Sequence, residues 1–294
     1  MRITNSMLTN NLLRNMYTNL RGLERAQDRL SSQREIRCPS DDPVRVVSSL
    51  TLRSDLAEVE QFQKNISDAQ AWLEITEGAL DNAIDVLQRM RDLAVYGATD
   101  TIPQESRQAL ANEVRQLQGQ LIQIANTTHG DRYIFGGTLT NKAPYENGEW
   151  KGNEGKIEFE IAQGVEMQVN LPGKELFVGK NNPGAIEVLD KLADILADST
   201  KKGADVSPVI GEIDVILDQF IAKRGEIGAK VNRVEMSMDR LDQTGVRVTE
   251  LLSRAEDADI ARAIIDLKSQ ENAYRVTLAA GARIMTPTLI DFLR

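Results

Sequence analysis

The residues of this chain that could do covalent or metal chemistry are few and far apart. It has one histidine, His129, and one cysteine, Cys38. A hydroxyl or thiol nucleophile needs a base within hydrogen-bond reach, and a two-histidine zinc motif needs a second histidine, so neither constellation can be assembled. Asp41 and Asp42 are adjacent carboxylates, but no histidine or third acid stands near them. Between Pro39 and Pro43, Asp42 is better suited to cap a helix whose first residue is Pro43, where the missing N–H leaves nothing unpaired. Pro39 meanwhile pushes Cys38 out of helical geometry. His129, beside Gly130, reads as the end of a helix rather than a ligand. The turn Phe135-Gly136-Gly137 lacks the Lys-Ser/Thr ending of a phosphate loop. No catalytic residue, cofactor or metal is expected, and the chain reads as a non-enzyme. What its spacing does support is apolar association between helices.

The clearest element is the stretch from Val59 to Ala94. Val59, Phe62, Ile66, Ala69, Leu73, Thr76, Leu80, Ala83, Leu87, Met90 and Ala94 stand alternately three and four apart. Such a run lies along one narrow stripe of an α-helix and is buried only against another long helix. No proline falls between Pro43 and Pro103, so the spacing predicts one helix from Pro43 to about Gly97, a rod of roughly 80 Å. Pro103 opens a further helix with Leu110, Val114, Leu117, Leu121 and Ile124 on one face, able to fold back on the rod.

Both chain ends carry thinner seams. Leu13, Met16, Leu20, Leu23, Gln27 and Leu30 line a polar helix; Met1 to Cys38 holds seven arginines against three acids. A membrane-surface helix, a targeting peptide and a helix awaiting a partner helix all fit such a segment. Glu24 and Asp28 among the arginines, and the thinness of the stripe, favour the partner helix. Near the other end Val231, Val234, Met238, Leu241, Gly245, Val248, Leu252 and Ala255 form a regular seam. It shifts phase near Asp257 and resumes as Ile260, Ile264, Leu267, Glu271, Tyr274 and Leu278. The phase shift lies about as far from the C-terminus as Pro39 lies from the N-terminus, so the two terminal helices are expected to pair with each other, and the longer inner helices beneath them.

From Tyr133 the apolar period changes to two. Ile157, Phe159 and Ile161, then Val165, Met167, Val169 and Leu171 after Gln163-Gly164, predict a β-hairpin with one buried face. Short strands are expected at Tyr133 to Phe135, near Trp150 and at Leu176 to Val178, followed by a helix from Ile186 to Leu196. Ser207-Pro208 is expected to open the last helical region. Half of the twenty glycines fall between Gly130 and Gly184, which marks this middle as differently built. The predicted class is mainly α with a β-rich insertion: a long antiparallel helical bundle or coiled coil from both chain ends, with a small α+β middle domain. The expected division is 1-42 with 256-294 as a terminal coiled-coil domain, 43-130 with 207-255 as a helical rod, and 131-206 as a β-rich outer domain.

At 294 residues and 41% apolar content the chain can bury a sizeable core. A net charge of −9 argues against a nucleic acid partner. No apolar run reaches 18 residues, so no membrane insertion is expected. One cysteine excludes an internal disulfide framework. Asn5, Asn10, Asn11 and Arg14 interrupt what would be a cleavable signal peptide, so the protein is expected to stay in the cytoplasm or to leave by a route that reads no such peptide.

Several stretches together resemble the flagellin superfamily of bacterial axial proteins. They are Arg29-Leu30-Ser31-Ser32 followed by Pro39-Ser40-Asp41-Asp42-Pro43, then Asn65-Ile66-Ser67-Asp68-Ala69, then Thr76-Glu77-Gly78-Ala79-Leu80 running on to Met90-Arg91-Asp92-Leu93-Ala94, and the closing Leu278 to Leu293. Within the superfamily the chain looks most like the hook-filament junction branch, the hook-associated protein 3 subfamily. Met1-Arg2-Ile3-Thr4, Arg132-Tyr133-Ile134-Phe135-Gly136-Gly137-Thr138, Ala143-Pro144-Tyr145 and Gly164-Val165-Glu166-Met167-Gln168-Val169-Asn170 carry that likeness. Gln33-Arg34-Glu35 departs from it, where relatives often carry a glycine, and Cys38 is unexpected in an exported family.

The resemblance implies a structural adaptor that is exported unfolded through the flagellar type III apparatus and assembled outside the cell at the hook-filament junction. Its implied partners are hook-associated protein 1 on the hook side, flagellin on the filament side, copies of itself in a ring, and a cytosolic export chaperone. On this reading Leu13, Met16, Leu20, Leu23, Leu30, Leu278, Leu289 and Leu293 form the polymer interface. Ile260, Ile264, Leu267 and Tyr274 serve the chaperone first and the polymer later. Thin seams of this kind do not stabilise a lone helix in water, and burial among neighbouring subunits would offset the cost of ordering it. Flagellin itself is the closest alternative, distinguished by copy number. A cytoplasmic coiled-coil signalling rod would explain the heptads but neither the β insertion nor the matched breaks.

Overall fold

The structure is a computed structural model and describes residues 5–36, 38, 40–99, 102–179 and 183–284. Its helices are α1 (Asn5–Ser32), α2 (Pro43–Gly97), α3 (Gln104–Ala125), α4 (Lys174–Phe177), α5 (Ala185–Ala197), α6 (Gly203–Glu256) and α7 (Ile260–Ile284). Three two-stranded hairpins lie between α3 and α4: β1 (Thr128–His129) with β2 (Arg132–Tyr133), β3 (Tyr145–Glu146) with β4 (Glu149–Trp150), and β5 (Glu158–Ala162) with β6 (Val165–Gln168). The chain is mainly helical with small β-sheets in its middle. It divides into two compact units, residues 59–243, and residues 1–58 with 244–294.

In the unit of residues 59–243 the 3.5-residue stripe becomes the core. Ile66, Ala69, Leu73, Thr76, Leu80, Ala83, Leu87, Met90 and Ala94 are all fully buried, and Phe62 packs at the margin. Thr76 is accommodated because its hydroxyl donates to the Trp72 carbonyl at 2.8 Å, which leaves no polar group unpaired on the seam. The partner is α6, running antiparallel. Gln63 Nε2 donates to Asp242 Oδ1 at 2.6 Å, Arg224 pairs with Asp81 at 2.7 Å, and Arg91 with Asp214 at 2.5 Å. Each advance along α2 is thus matched residue for residue by a retreat along α6, as a straight heptad seam requires. Ile213, Ile216, Phe220, Ile227 and Val234 face it from α6. Leu110, Ala111, Val114 and Leu121 of α3 and Ile186, Leu189, Leu192 and Leu196 of α5 complete the core, with α3 packed along α5.

The β-rich middle is tied to the same core by aromatic contacts. Phe177 stands at the centre: Phe135 meets it edge-on at 5.2 Å, Phe220 edge-on at 5.5 Å, and Trp150 stacks on it at 5.9 Å. Gly137 has φ of 71°, and a Cβ there would lie 2.2 Å from the Asn153 carbonyl oxygen, so this turn requires glycine. Asn153 Oδ1 accepts from the Thr138 and Gly155 amides at 2.7 and 3.2 Å. The fully buried Asn170 accepts from the Ile157 amide at 2.8 Å and donates to the Gly155 carbonyl at 2.7 Å. These two side chains hold an irregular segment where no strand pairing does.

The β5–β6 hairpin has the expected alternation, with a register shift between Glu160 and Ala162. Three local expectations change. Residues 174–177 form a short helix instead of a strand: among the described residues no strand pairs with them, and the Val178 and Gly179 amides close back on the Lys174 carbonyl at 3.0 Å. Leu176 and Phe177 are buried either way, so the apolar pattern alone does not separate the two conformations. α6 begins at Gly203 and carries Pro208 inside it. His129 does not end α3, which stops at Ala125. It pairs with Arg132 in a tight hairpin around Gly130, edge-on to Trp72 at 5.8 Å.

Candidate assembly surface

The unit formed by residues 1–58 and 244–294 brings the two chain ends together. α1 is basic and thinly apolar, and it packs along α7. Asn19 Nδ2 donates to Thr277 Oγ1 at 2.7 Å. A Cβ on Gly22 would meet Gln270 Oε1 at 2.7 Å, and one on Gly281 would meet Leu12 Cδ2 at 2.9 Å, so a side chain of the facing helix lies over each glycine. Arg29 lies 3.8 Å from Asp266 and 3.5 Å from Glu35. The face turned to α7 therefore contains Leu12, Asn19, Gly22 and Arg29, with Ala26 buried beside them. Their spacing is a heptad seam set one residue toward the N-terminus from the apolar stripe that runs through Leu13.

That offset decides what remains outside. Leu13 is 39% and Leu20 41% exposed, and Tyr17 between them is exposed as well, whereas Met16, Leu23 and Leu30 are half-buried at the edge of the pair. On α7, Ala263 and Gly281 are buried, and Leu267 and Tyr274 are half-buried. Ile260, Ile264 and Leu278 are exposed, together with Ile265 and Val276. Leu289 and Leu293 lie outside the described residues. Small and polar residues, with Leu12, thus meet within the pair, and Leu13, Tyr17, Leu20, Ile260, Ile264 and Leu278 lie exposed beside it. The signal for the inner seam was present in the sequence as Leu12, Asn19 and Ala26, seven apart, but a scan for large apolar residues passes over an asparagine and an alanine.

Below the pair, the two breaks in the helices coincide. α1 stops where Gln33 adopts φ of 58°, and α2 restarts with Asp42 Oδ1 accepting from the Val44 and Arg45 amides, each at 3.1 Å, an N-cap. On the returning strand Asp259 Oδ1 accepts from the Arg262 amide at 3.1 Å. Between these caps Arg34 and Asp257 form an antiparallel bridge, with the Glu35 amide on the Glu256 carbonyl at 2.7 Å and the Ala258 amide on the Gln33 carbonyl at 2.9 Å. The buried Glu256 carboxylate accepts from Arg53 twice, at 2.6 Å each, and from the Ser49 hydroxyl, with Arg34 at 3.7 Å. The Arg53 hydrogen bonds hold the Glu256 carboxyl below the usual carboxylate range against the opposing effect of burial, with Ser49 and Arg34 adding to them.

No group of His, Cys, Asp and Glu among the described residues is arranged to hold a metal ion, and no described helix is long and apolar enough to cross a membrane. Cys38 is exposed, its amide donating to Asp41 Oδ2 at 3.0 Å. What the arrangement offers is an apolar surface on paired helices, suited to association.

Helices from both chain ends, separated in sequence by a middle with small β-hairpins, define a mainly helical protein. The family model described as the bacterial flagellin N-terminal helical region matches residues 3–140. Flagellar hook-associated protein 3 of Escherichia coli strain K12 is 25% identical, over 89% of this chain and 92% of that protein. A flagellin of Halalkalibacterium halodurans is 27% identical over 99% of both chains. The crystal structure of FlgL from Bacillus cereus superposes with a TM-score of 0.61 at 25% identity, covering 69% of this chain and 99% of that one. Over residues 3–140 the chain matches the flagellin N-terminal helical region, and over its length it resembles flagellins and the hook-associated junction proteins.

Proposed function

We propose that this chain is the adaptor that joins hook to filament, forming a ring whose subunits associate through their terminal helices. The observation that carries this reading is the likeness to FlgL, which extends over 99% of that chain at 25% identity. The exposed apolar residues on the terminal pair support the mode of association. Leu13, Met16, Leu20, Leu23, Leu30 and Leu278, with Leu289 and Leu293, are assigned to contacts between subunits. Ile260, Ile264, Leu267 and Tyr274 are assigned first to an export chaperone and then to the polymer. On this reading residues 1-42 with 256-294 are the assembling domain, 43-130 with 207-255 the rod, and 131-206 the outer domain. The neighbours are hook-associated protein 1 toward the hook and flagellin toward the tip.

A second reading, filament subunit, is favoured by the flagellin that aligns over 99% of both chains. Immunogold labelling of whole flagella separates the two. The adaptor reading expects label confined to one narrow band at the end of the hook, and label along the whole filament would overturn it.

A further inference from the structure

Asn147 is the one asparagine of the chain that a glycine follows, and the two residues form the tip of the β3–β4 hairpin. Asn147 has φ of 55° and Gly148 of 85°, both left-handed, as a two-residue hairpin turn of this hand requires. Both are exposed, the Asn147 side chain has no hydrogen-bond partner among the described residues, and no atom lies within 4 Å of where a Gly148 Cβ would stand. Behind the tip the hairpin is pinned. The Asn126 side chain donates to the Tyr145 carbonyl at 2.9 Å and accepts from its amide at 3.0 Å, and the Lys151 amide donates to the Pro144 carbonyl at 2.7 Å. Between the pins and the turn, Glu146 and Glu149 stand directly opposite each other with like charge, which disfavours their pairing. A short, charge-opposed tip on a fixed base opens locally while the rest stays folded.

We propose that Asn147 is a site of spontaneous deamidation, gated by opening of this hairpin tip. In the open tip the Gly148 backbone nitrogen, unshielded by any Cβ, attacks Cγ of Asn147. A C–N bond forms, the side-chain nitrogen leaves as ammonia carrying the Gly148 proton, and a cyclic imide remains. Water then breaks one of the two carbonyl–nitrogen bonds of the imide. Cleavage at Cγ gives aspartate; cleavage at the main-chain carbonyl gives isoaspartate, whose backbone runs through Cβ and is one carbon longer. Either product sets a new carboxylate between Glu146 and Glu149. Isoaspartate also lengthens a turn whose strands are fixed at Tyr145 and Lys151, so the distortion falls on Trp150, which stacks on Phe177. The chemistry is the same whether the protein is adaptor or filament subunit.

Full-length protein held in mildly alkaline, heavy-oxygen water and mapped by peptide mass spectrometry tests this, with protein isoaspartyl methyltransferase as the probe for isoaspartate. The expected result is heavy-oxygen label and isoaspartate at position 147 ahead of every other asparagine, with the near-ultraviolet circular dichroism of the Trp150–Phe177 stack declining in step. Asn147→Gly keeps a left-handed turn without a side-chain amide and is expected to hold that signal through the same incubation. Glu149→Lys sets an opposite charge across from Glu146 and is expected to slow labelling by about two- to fivefold, the range of a cross-strand charge pair. No modification at Asn147, an equal rate in Glu149→Lys, or labelling with an unchanged aromatic signal would each overturn the proposal.

Discussion

Arg53 grips Glu256 with both arms: Nε lies 2.6 Å from Oε1 and Nη2 2.6 Å from Oε2. The two residues are 203 positions apart in the chain; Glu256 ends α6 beside the phase shift at Asp257, and Arg53 stands roughly three turns into α2. The pair joins the end of one long helix to the start of another, and the terminal helices begin where it stops. Because Glu256 is buried and Arg53 half-exposed, the cost of breaking the pair falls mainly on the carboxylate.

Acid should loosen this joint. The Glu256 carboxyl titrates below its ordinary range because Arg53 donates to its charged form. Its contribution is complete above about pH 4.3, where a glutamate in an unfolded chain protonates, and is lost as pH falls through the lower value of the folded chain. The protection factors of the amides of residues 33–36 and 256–258, taken against the intrinsic exchange rate at each pH, are therefore expected to fall on acidification, and Glu256→Gln should remove that part of the pH dependence. An unchanged pH profile in the variant would contradict the assignment.

The core of the long helix pair should behave as a packed seam. Leu80→Ala or Leu87→Ala empties a fully buried position and is expected to cost about 2 to 5 kcal/mol, read from denaturant unfolding. Val47→Ala, on the exposed side of α2, should stay within about 0.5 kcal/mol.

At the turn between Ile134 and Leu139, Gly137→Ala should destabilise the β-rich middle by at least about 1 kcal/mol, since both the positive φ and the Asn153 carbonyl oppose a side chain. Near-ultraviolet circular dichroism of Trp150, stacked on Phe177, gives the readout. Helix content should hardly change.

The two stripes of α1 should separate by function. Leu20→Asp, on the exposed stripe, is expected to leave monomer stability within about 0.5 kcal/mol and to abolish incorporation into flagella. Gly22→Leu, on the stripe against α7, places its side chain where the Gln270 amide lies and is expected to reduce incorporation without abolishing it, since that flexible side chain can turn aside. The same response from both variants would mean that the stripes do not divide the work.

How far the sequence carried this architecture depended on how regular each element was. Val59 to Ala94 repeated without a skip, so both the helix and its buried face could be read before any coordinate. The interruption at Asp257 was legible, and Asp42 as a cap, whereas α1 stops at Ser32, ahead of the expected break at Cys38-Pro39. The meeting of the two breaks at Glu256 was not legible, because an ion pair across 203 positions leaves no mark in local spacing. The offset of the α1–α7 seam was missed because its inner members include a glycine under the Gln270 side chain and an asparagine bonded to Thr277, which a scan for hydrophobic residues passes over. The segment at Leu176 failed for a different reason: two apolar residues are too few to distinguish a period of two from one of 3.6.

The central claim, that this chain is the junction on which filaments grow, is tested most directly by electron microscopy of cells lacking its gene, with the culture medium assayed for flagellin. The account predicts bare hooks together with secreted, unpolymerised flagellin. Normal filaments would contradict it, and so would bare hooks with no flagellin in the medium, the result expected of a missing filament subunit.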